Sequence, residues 1–431
     1  WSPPIPMWKT GKNHWSYNLY GPFNLVGKIE YRFCRNDACG TADDGSAPVN
    51  GYSIESNNLP EKLDIQVTKW ANWEPITENS SEWAVSAIPR TSDFTTGFML
   101  SSDYNVNTPI FLDAALETIT EGYGDTVIIP YKWRLQSLHP IIFSPQTGEN
   151  PLWKDLVLMV QKAQNAGLQV WLSPEIELSS SVVRQFVSSS DSDNWDYEFS
   201  KNFNEFLLYT VDLSAYMNVK GIIIPTDIPH LQDFSNYEKI SEVMVAEAIN
   251  MNQDLRSRFK GKIYIVNNGV SNIDSNLLKL VDGIFITPRI NFNDPKFMNE
   301  DWATIFQSYF NQEKFQLFSN NQKELIIGLN YPSLKGAEQG CIPSGEECYD
   351  FRFINQPDLD QSSFAMVIDL QNQMELYSSS LDAINTIDWI DGVISTGFNP
   401  QVALRDQSSS IRGKPVFMII SQWFSGVKGQ Q

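Results

Sequence analysis

Eight short runs rich in β-branched and aromatic residues recur between residues 95 and 399, most of them followed by a longer stretch of helical periodicity. The runs are TTGFMLSS (95–102), DTVIIPYKW (125–133), LQVWLSPEI (168–176), GIIIPTD (221–227), KIYIVNNG (262–269), GIFITP (283–288), ELIIGLNY (324–331) and GVISTGFN (392–399). Parallel strands need long crossovers, and an amphipathic helix in each crossover buries its apolar stripe on the sheet. Eight such repeats are the arithmetic of a closed (β/α)8 TIM barrel. A doubly wound open sheet is the rival arrangement, but its glycine-rich phosphate turn is not found here.

The clearest helix is predicted to start with Asn150 as N-cap and Pro151 in its first turn, run through Leu152, Leu156, Val157, Val160 and Ala163, and stop at Gly167. Further helices are predicted near 110–122, 196–218, 236–259, 300–313, 364–387 and 414–425, with a short one at 275–281. Residues 1–92 differ, with short alternating runs such as KIEYRF (28–33) and KLDIQVTKW (62–70) between Gly, Pro, Asn and Asp. They predict a small β-sandwich, of immunoglobulin-like or carbohydrate-binding type, ahead of a barrel spanning 93–431. This segment holds six of the thirteen tryptophans (Trp1, Trp8, Trp15, Trp70, Trp73 and Trp83), which suit either a core or a ring-stacking surface.

The four cysteines form two close pairs, Cys34 with Cys39 and Cys341 with Cys348. The pairs are too far apart in sequence, and their internal spacing too wide, for a zinc knuckle, so two disulfide-closed loops are expected. Disulfides imply an oxidising compartment and thus an extracellular or cell-surface location. Asn79-Ser80-Ser81 is a glycosylation sequon. A chain with 51 acidic against 31 basic residues and no Lys/Arg cluster is a poor partner for nucleic acid or anionic membranes. No apolar run reaches the ~18 residues of a membrane span, and Trp1 is expected to be a processed or trimmed end.

In a barrel of this kind the C-terminal ends of the strands face the site. In order they offer Tyr131 and Trp133, Glu175 and Glu177, Thr226 and Asp227, Asn267 and Asn268, Thr287 and Arg289, Asn330 and Tyr331, and Phe398 and Asn399. Carboxylates for proton transfer, amides for hydroxyls and aromatic faces for ring stacking are what a sugar site uses. Tyr131, Trp133, Asn268, Tyr331 and Phe398 are therefore expected to hold substrate, with Asp227 and Glu175 as the catalytic candidates. No cofactor or metal is expected. His14, His139 and His230 lack ligand spacing, and the acidic run at 191–196 lacks the glycine and distant Glu of a calcium loop.

LQVWLSPEI after a helix ending AGL, NVKGIIIPTD, YPS after the seventh strand and SIRGKPVFMIISQWF (410–424) resemble the clan A glycoside hydrolases, especially the mannanase-type barrels. The resemblance implies an acid/base Glu at the end of the fourth strand and a nucleophilic Glu at the end of the seventh. Here the first position reads Thr226-Asp227, and the second falls on Gly328, or on Asn330 two residues later. Neither Gly nor Asn can form a glycosyl-enzyme bond through a carboxylate. An inverting pair of Asp227 and Glu175, about 6.5–9.5 Å apart, is the remaining hydrolytic arrangement. Glu338, Glu346 and Glu347 lie on a loop able to fold over the site, and Asp406 is expected to tether the last loop. The sequence thus points to an exported carbohydrate-active or glycan-binding protein with lost or altered catalysis. A non-catalytic component of a surface, sheath or filament that assembles with itself is the alternative.

Overall fold

The computed structural model describes residues 7–11, 14–18, 27–34, 44–55, 62–70, 85–138, 140–179, 182, 195–226, 228, 237–267, 274–312, 323–344, 347–349, 351, 367–401 and 406–429. The chain divides into two compact units, one of Trp1–Trp83 with Val402–Asp406, the other of Ala84–Gln401 with Gln407–Gln431.

In the larger unit eight parallel strands close on themselves. They are β1 (Thr95–Leu100), β2 (Thr126–Leu138), β3 (Gln169–Leu178), β4 (Gly221–Ile224), β5 (Lys262–Asn267), β6 (Gly283–Ile286), β7 (Glu324–Leu329) and β8 (Gly392–Phe398). Closure comes from β1 pairing in parallel with both β8 and β2. The helices α1 (Thr108–Glu121), α2 (Trp153–Asn165), α3 (Trp195–Tyr216), α4 (Tyr237–Asn250), α5 (Ser275–Leu280), α6 (Trp302–Phe310), α7 (Leu370–Asn385) and α8 (Val416–Val427) follow the strands one for one. The chain therefore forms the (β/α)8 barrel that strand counting predicts.

Helix starts obey local chemistry. The carboxylates of Asp274, Asp301 and Asp369 accept N–H groups in the first turns of α5, α6 and α7. At α2 the start shifts from the predicted Asn150 to Trp153, with the Asp155 carboxylate reaching back to the Leu152 N–H at 2.9 Å. The Asn150 amide instead accepts the Gln146 N–H at 2.7 Å within the preceding turn.

The barrel interior is filled by one large side chain from nearly every strand: Ile128, Trp171, Ile223, Tyr264, Phe285, Ile326 and Ile394, with Met99 packed against them. The Trp171 and Tyr264 rings stack with centroids 4.5 Å apart. Space for these rings comes from glycines on the next strand. A Cβ on Gly221 would lie 3.0 Å from the Trp171 indole, and one on Gly283 would lie 2.6 Å from the Tyr264 ring. Gly328 of β7 stands in the same relation to Phe285 of β6, whose Cζ would lie 2.7 Å from an added Cβ.

At the bottom of the barrel, carboxylates bind the first strand amides. Asp282, just before β6, accepts the Ile263 N–H at 2.7 Å, and Asp391, just before β8, accepts the Leu325 N–H at 2.8 Å. Asp125 likewise accepts the Thr96 N–H at 3.3 Å. Glu324 pairs with Lys262 at 2.6 Å and accepts the Tyr264 hydroxyl.

The described residues of the smaller unit cover only part of the segment predicted as a sandwich. Its described residues include two separate antiparallel strand pairs, Trp8–Gly11 with His14–Ser16 and Lys28–Tyr31 with Tyr52–Glu55. Residues 62–69 run outside any described strand, and Trp70 forms an isolated bridge to Asp44. The alternating pattern of this segment signals extended backbone, but alternation alone does not supply a neighbouring strand. Trp15 is 54% exposed.

Candidate functional site

Side chains alternate along a strand, so the residues that fill the barrel set the phase of those that reach its mouth. On β3, Glu175 and Glu177 share the phase of Trp171; on β2, Lys132 and Arg134 share that of Ile128. These two strands pair over ten positions, Thr126↔Gln169 to Leu135↔Leu178, whereas β3 and β4 pair only at Trp171↔Gly221 and Leu172↔Ile222. The ends of β2 and β3 thus extend beyond the pairing with β4 and carry charge above the mouth.

That charge is tightly organised. The Arg134 guanidinium donates to Glu177 at 2.9 Å and pairs with Glu149 at 2.5 Å. Burial opposes the guanidinium charge, and the two carboxylates outweigh it, so the Arg134 pKa is raised. Lys132 faces Asp103 at 3.8 Å and sits opposite Glu175 in the strand register. Glu175 is half-buried and has an interaction partner of its own.

Four residues expected to bind substrate lie elsewhere. Tyr131 is out of phase and fully buried against α3, its hydroxyl 2.5 Å from Thr210 Oγ1 and its ring against Phe206. Burial pushes that phenol well above its usual range. Trp133 follows the same phase, with its ring centroid 4.9 Å from Phe206 and 5.2 Å from Tyr209. Tyr331 turns to α7, where its hydroxyl meets Ser380 Oγ at 2.9 Å and its ring meets Tyr377. Phe398 is displaced by a bulge: the β8–β1 register shifts between Ser395 and Phe398, Gly397 takes φ +78°, and Phe398 packs on Phe98 at 5.1 Å. Asp227, Asn268, His139 and His230 lie outside the described residues.

The expected nucleophile position is occupied by packing. Gly328 is flanked by the Phe285 ring and by Thr396, whose methyl would lie 3.0 Å from an added Cβ. A glutamate there would drive its Cβ into the barrel core. Asn330, just beyond β7, is half-buried. At the end of β4, the Thr226 hydroxyl donates to the Val266 carbonyl at 2.8 Å and ties that end to β5.

Loops around the mouth are clamped by residues with little sequence signal. Glu338 accepts the Asn372 side-chain amide at 2.5 Å and that of Asn293 at 3.1 Å, which joins the loops after β6 and β7 to α7. Buried Lys414, at the start of α8, donates to Ser333 Oγ at 3.0 Å and to the Ser408 carbonyl at 2.8 Å. Arg412 donates to the Pro400 carbonyl, and burial lowers its pKa to about 10. Asp406 is itself buried. The only trace of the lysine clamp in the sequence is the Gly-Lys-Pro step before the last helix.

Among the described residues no group of three or more His, Cys, Asp or Glu is placed to hold a metal ion, and no helix is long and apolar enough to cross a membrane. No described cysteine is free; Cys39 lies outside the described residues.

No protein-family model matches this sequence, and no curated protein matches it. Solved structures do match in shape. A GH113 β-1,4-mannanase in complex is similar at a TM-score of 0.57 and 15% identity, over 77% of this chain and 99% of that one. A second structure described as a GH113 β-1,4-mannanase gives the same values. The GH113 β-mannanase of Alicyclobacillus acidocaldarius follows at a TM-score of 0.55 and 13% identity, over 78% of this chain and 98% of that one. At such identity the likeness establishes the fold, a mannanase-like TIM barrel.

Proposed function

We propose that this protein is a glycan-binding, glycoside hydrolase-like barrel in which retaining hydrolysis has been lost. The observation that carries this reading is Gly328, the first of the two expected nucleophile positions, held against Phe285 and Thr396 with no room for a side chain, while the second, Asn330, carries no carboxylate. Mannanase-like shape and a mouth edged by Glu175, Glu177, Lys132 and Arg134 support a polar, hydroxyl-rich ligand. Asn268, near the end of β5, completes the proposed contact set with an amide.

A second reading is favoured by one feature, the phase of Glu175. With Asp227 as proton donor and Glu175 as base, the pair would activate a water for inverting hydrolysis. Incubation of the full chain with β-1,4-mannan and other neutral polysaccharides distinguishes the two. Binding without release of reducing ends is the expected result. Release of product with inverted anomeric configuration, abolished by Glu175→Gln and by Asp227→Asn, would establish the second reading in its place.

The same proposal includes export to an oxidising, extracellular or cell-surface location, with disulfides Cys34–Cys39 and Cys341–Cys348. It also includes the two-part organisation, a β-rich module over about residues 1–92 and a barrel domain over 93–431. Arg90, which donates to the carbonyls of Ile384 at 2.7 Å and Ile387 at 3.1 Å, favours a join a few residues earlier. The acidic balance favours neutral glycans over nucleic acid or membrane surfaces. Self-assembly into a sheath or filament would show as concentration-dependent sedimentation of the purified chain.

A further inference from the structure

We infer that the outer flank of the barrel between α2 and α3 carries a second glycan-binding surface, in which Trp153, Tyr209 and Tyr216 receive a neutral polysaccharide chain. This deepens the carbohydrate reading and rests on it, but it uses no residue of the mouth.

The surface is a continuous run of rings. Beginning at half-buried Trp133, centroids step 5.2 Å to Tyr209, 5.3 Å to Trp153 and 6.1 Å to Tyr216. Exposure rises along the run, to 36% at Trp153 and 71% at Tyr216. The rings stand on fixed backbone. Asp155 anchors the start of α2 through the Leu152 N–H, and the Gln164 side chain donates to the Met217 carbonyl at 2.8 Å, tying the end of α2 to the end of α3. Little ordering entropy remains to be lost when a ligand arrives.

The chemistry and size of the run select its occupant. Indole and phenol rings present flat apolar faces with polar edges, which match the C–H faces and hydroxyl edges of a pyranose. Burial holds the Tyr209 phenol up to about 12, with Asp155 adding to the shift, so it is a hydrogen-bond donor at neutral pH. Asp155 and the overall charge of −20 oppose nucleic acid and anionic lipid. Three partly exposed rings, at about 150–250 Å² each when fully exposed, fall short of the ~800 Å² per partner of a stable protein interface. A narrow linear chain fits this area.

The test uses the full chain and the double variant Trp153→Ala/Tyr216→Ala, with affinity electrophoresis in soluble β-1,4-mannan and other neutral polysaccharides. With two of the stacking rings removed, retardation by the polymer should weaken about tenfold with far-UV circular dichroism unchanged. Binding of short oligosaccharides at the mouth, read by calorimetry, should be unaltered. Equal retardation of wild type and double variant overturns the inference alone, most plainly if Glu175→Gln abolishes retardation. Concentration-dependent self-association of the wild type, lost in the double variant, would make the flank a protein interface and also overturn it. Failure of the wild type to bind any neutral glycan overturns both this inference and the carbohydrate reading.

Discussion

At the bottom of the barrel Asp282 and Asp391 accept strand amides at 2.7 and 2.8 Å and Glu324 pairs with Lys262, whereas at the mouth Glu149 and Glu177 pair with Arg134 on and beside β2 and β3. Across the mouth, Gly328, one residue before the end of β7, is covered by Phe285. The bottom end spends its charge on holding strands in register. The mouth carries Glu175 and Glu177 on the β2–β3 ribbon, whereas packing fills the Gly328 position of β7. A retaining hydrolase needs carboxyl groups facing each other at about 5–5.5 Å, and neither Gly328 nor Asn330 supplies one.

The largest effect should come from forcing the missing group back. Gly328→Glu drives a Cβ to 2.7 Å from Phe285 and buries a carboxylate without a cation, so a loss of about 3–5 kcal/mol is expected in urea denaturation. Asn330→Glu, at the half-buried next position, should cost no more than about 1 kcal/mol. Wild-type stability in the Gly328 variant would show that the ring does not close the site.

At the bottom, Asp282→Ala should cost about 1–3 kcal/mol, because it strips the Ile263 amide of its acceptor and Arg256 of an ion pair at 2.8 Å. Equilibrium unfolding reads this directly. A change within experimental scatter would mean that the register is held by other contacts.

Protonation should separate the two ends by sign. Burial raises the Asp391 pKa, so its contribution is fully present below the unfolded value of about 3.9 and is lost as pH rises through the folded one. The Thr304 amide lowers that of Asp301, at the start of α6, so its contribution is present above about 3.9 and is lost as pH falls through the folded value. Denaturation midpoints between pH 2 and 6 should therefore change slope in opposite directions for Asp391→Asn and Asp301→Asn. Equal slopes would remove the distinction. The smallest stability change, within about 1 kcal/mol, is expected for Glu175→Gln, whose effect should instead appear as weaker glycan binding.

The barrel was readable from sequence because β-branched runs and amphipathic stretches alternate eight times. Gly328 was also readable as an absence of carboxylate, though not as a partner of Phe285. The orientation of the aromatic side chains was not readable. Strands of a closed parallel barrel are apolar on both faces, so DTVIIPYKW carries no alternation that fixes which of its residues point inward. Tyr131 and Trp133 therefore looked like mouth residues until Ile128 set the phase. The bulge at Gly397 reverses the phase of Phe398 in the same silent way.

By itself, the sequence determined what depends on neighbours along the chain: element order, the acidic balance and the absence of a carboxylate at Gly328 and Asn330. Tertiary structure alone decided which face of each strand fills the barrel, which loops Lys414 and Glu338 clamp, and where Trp153 and Tyr216 emerge as a surface. These depend on residues from distant strands competing for one interior volume, and pairwise spacing along a chain does not encode the outcome of that competition.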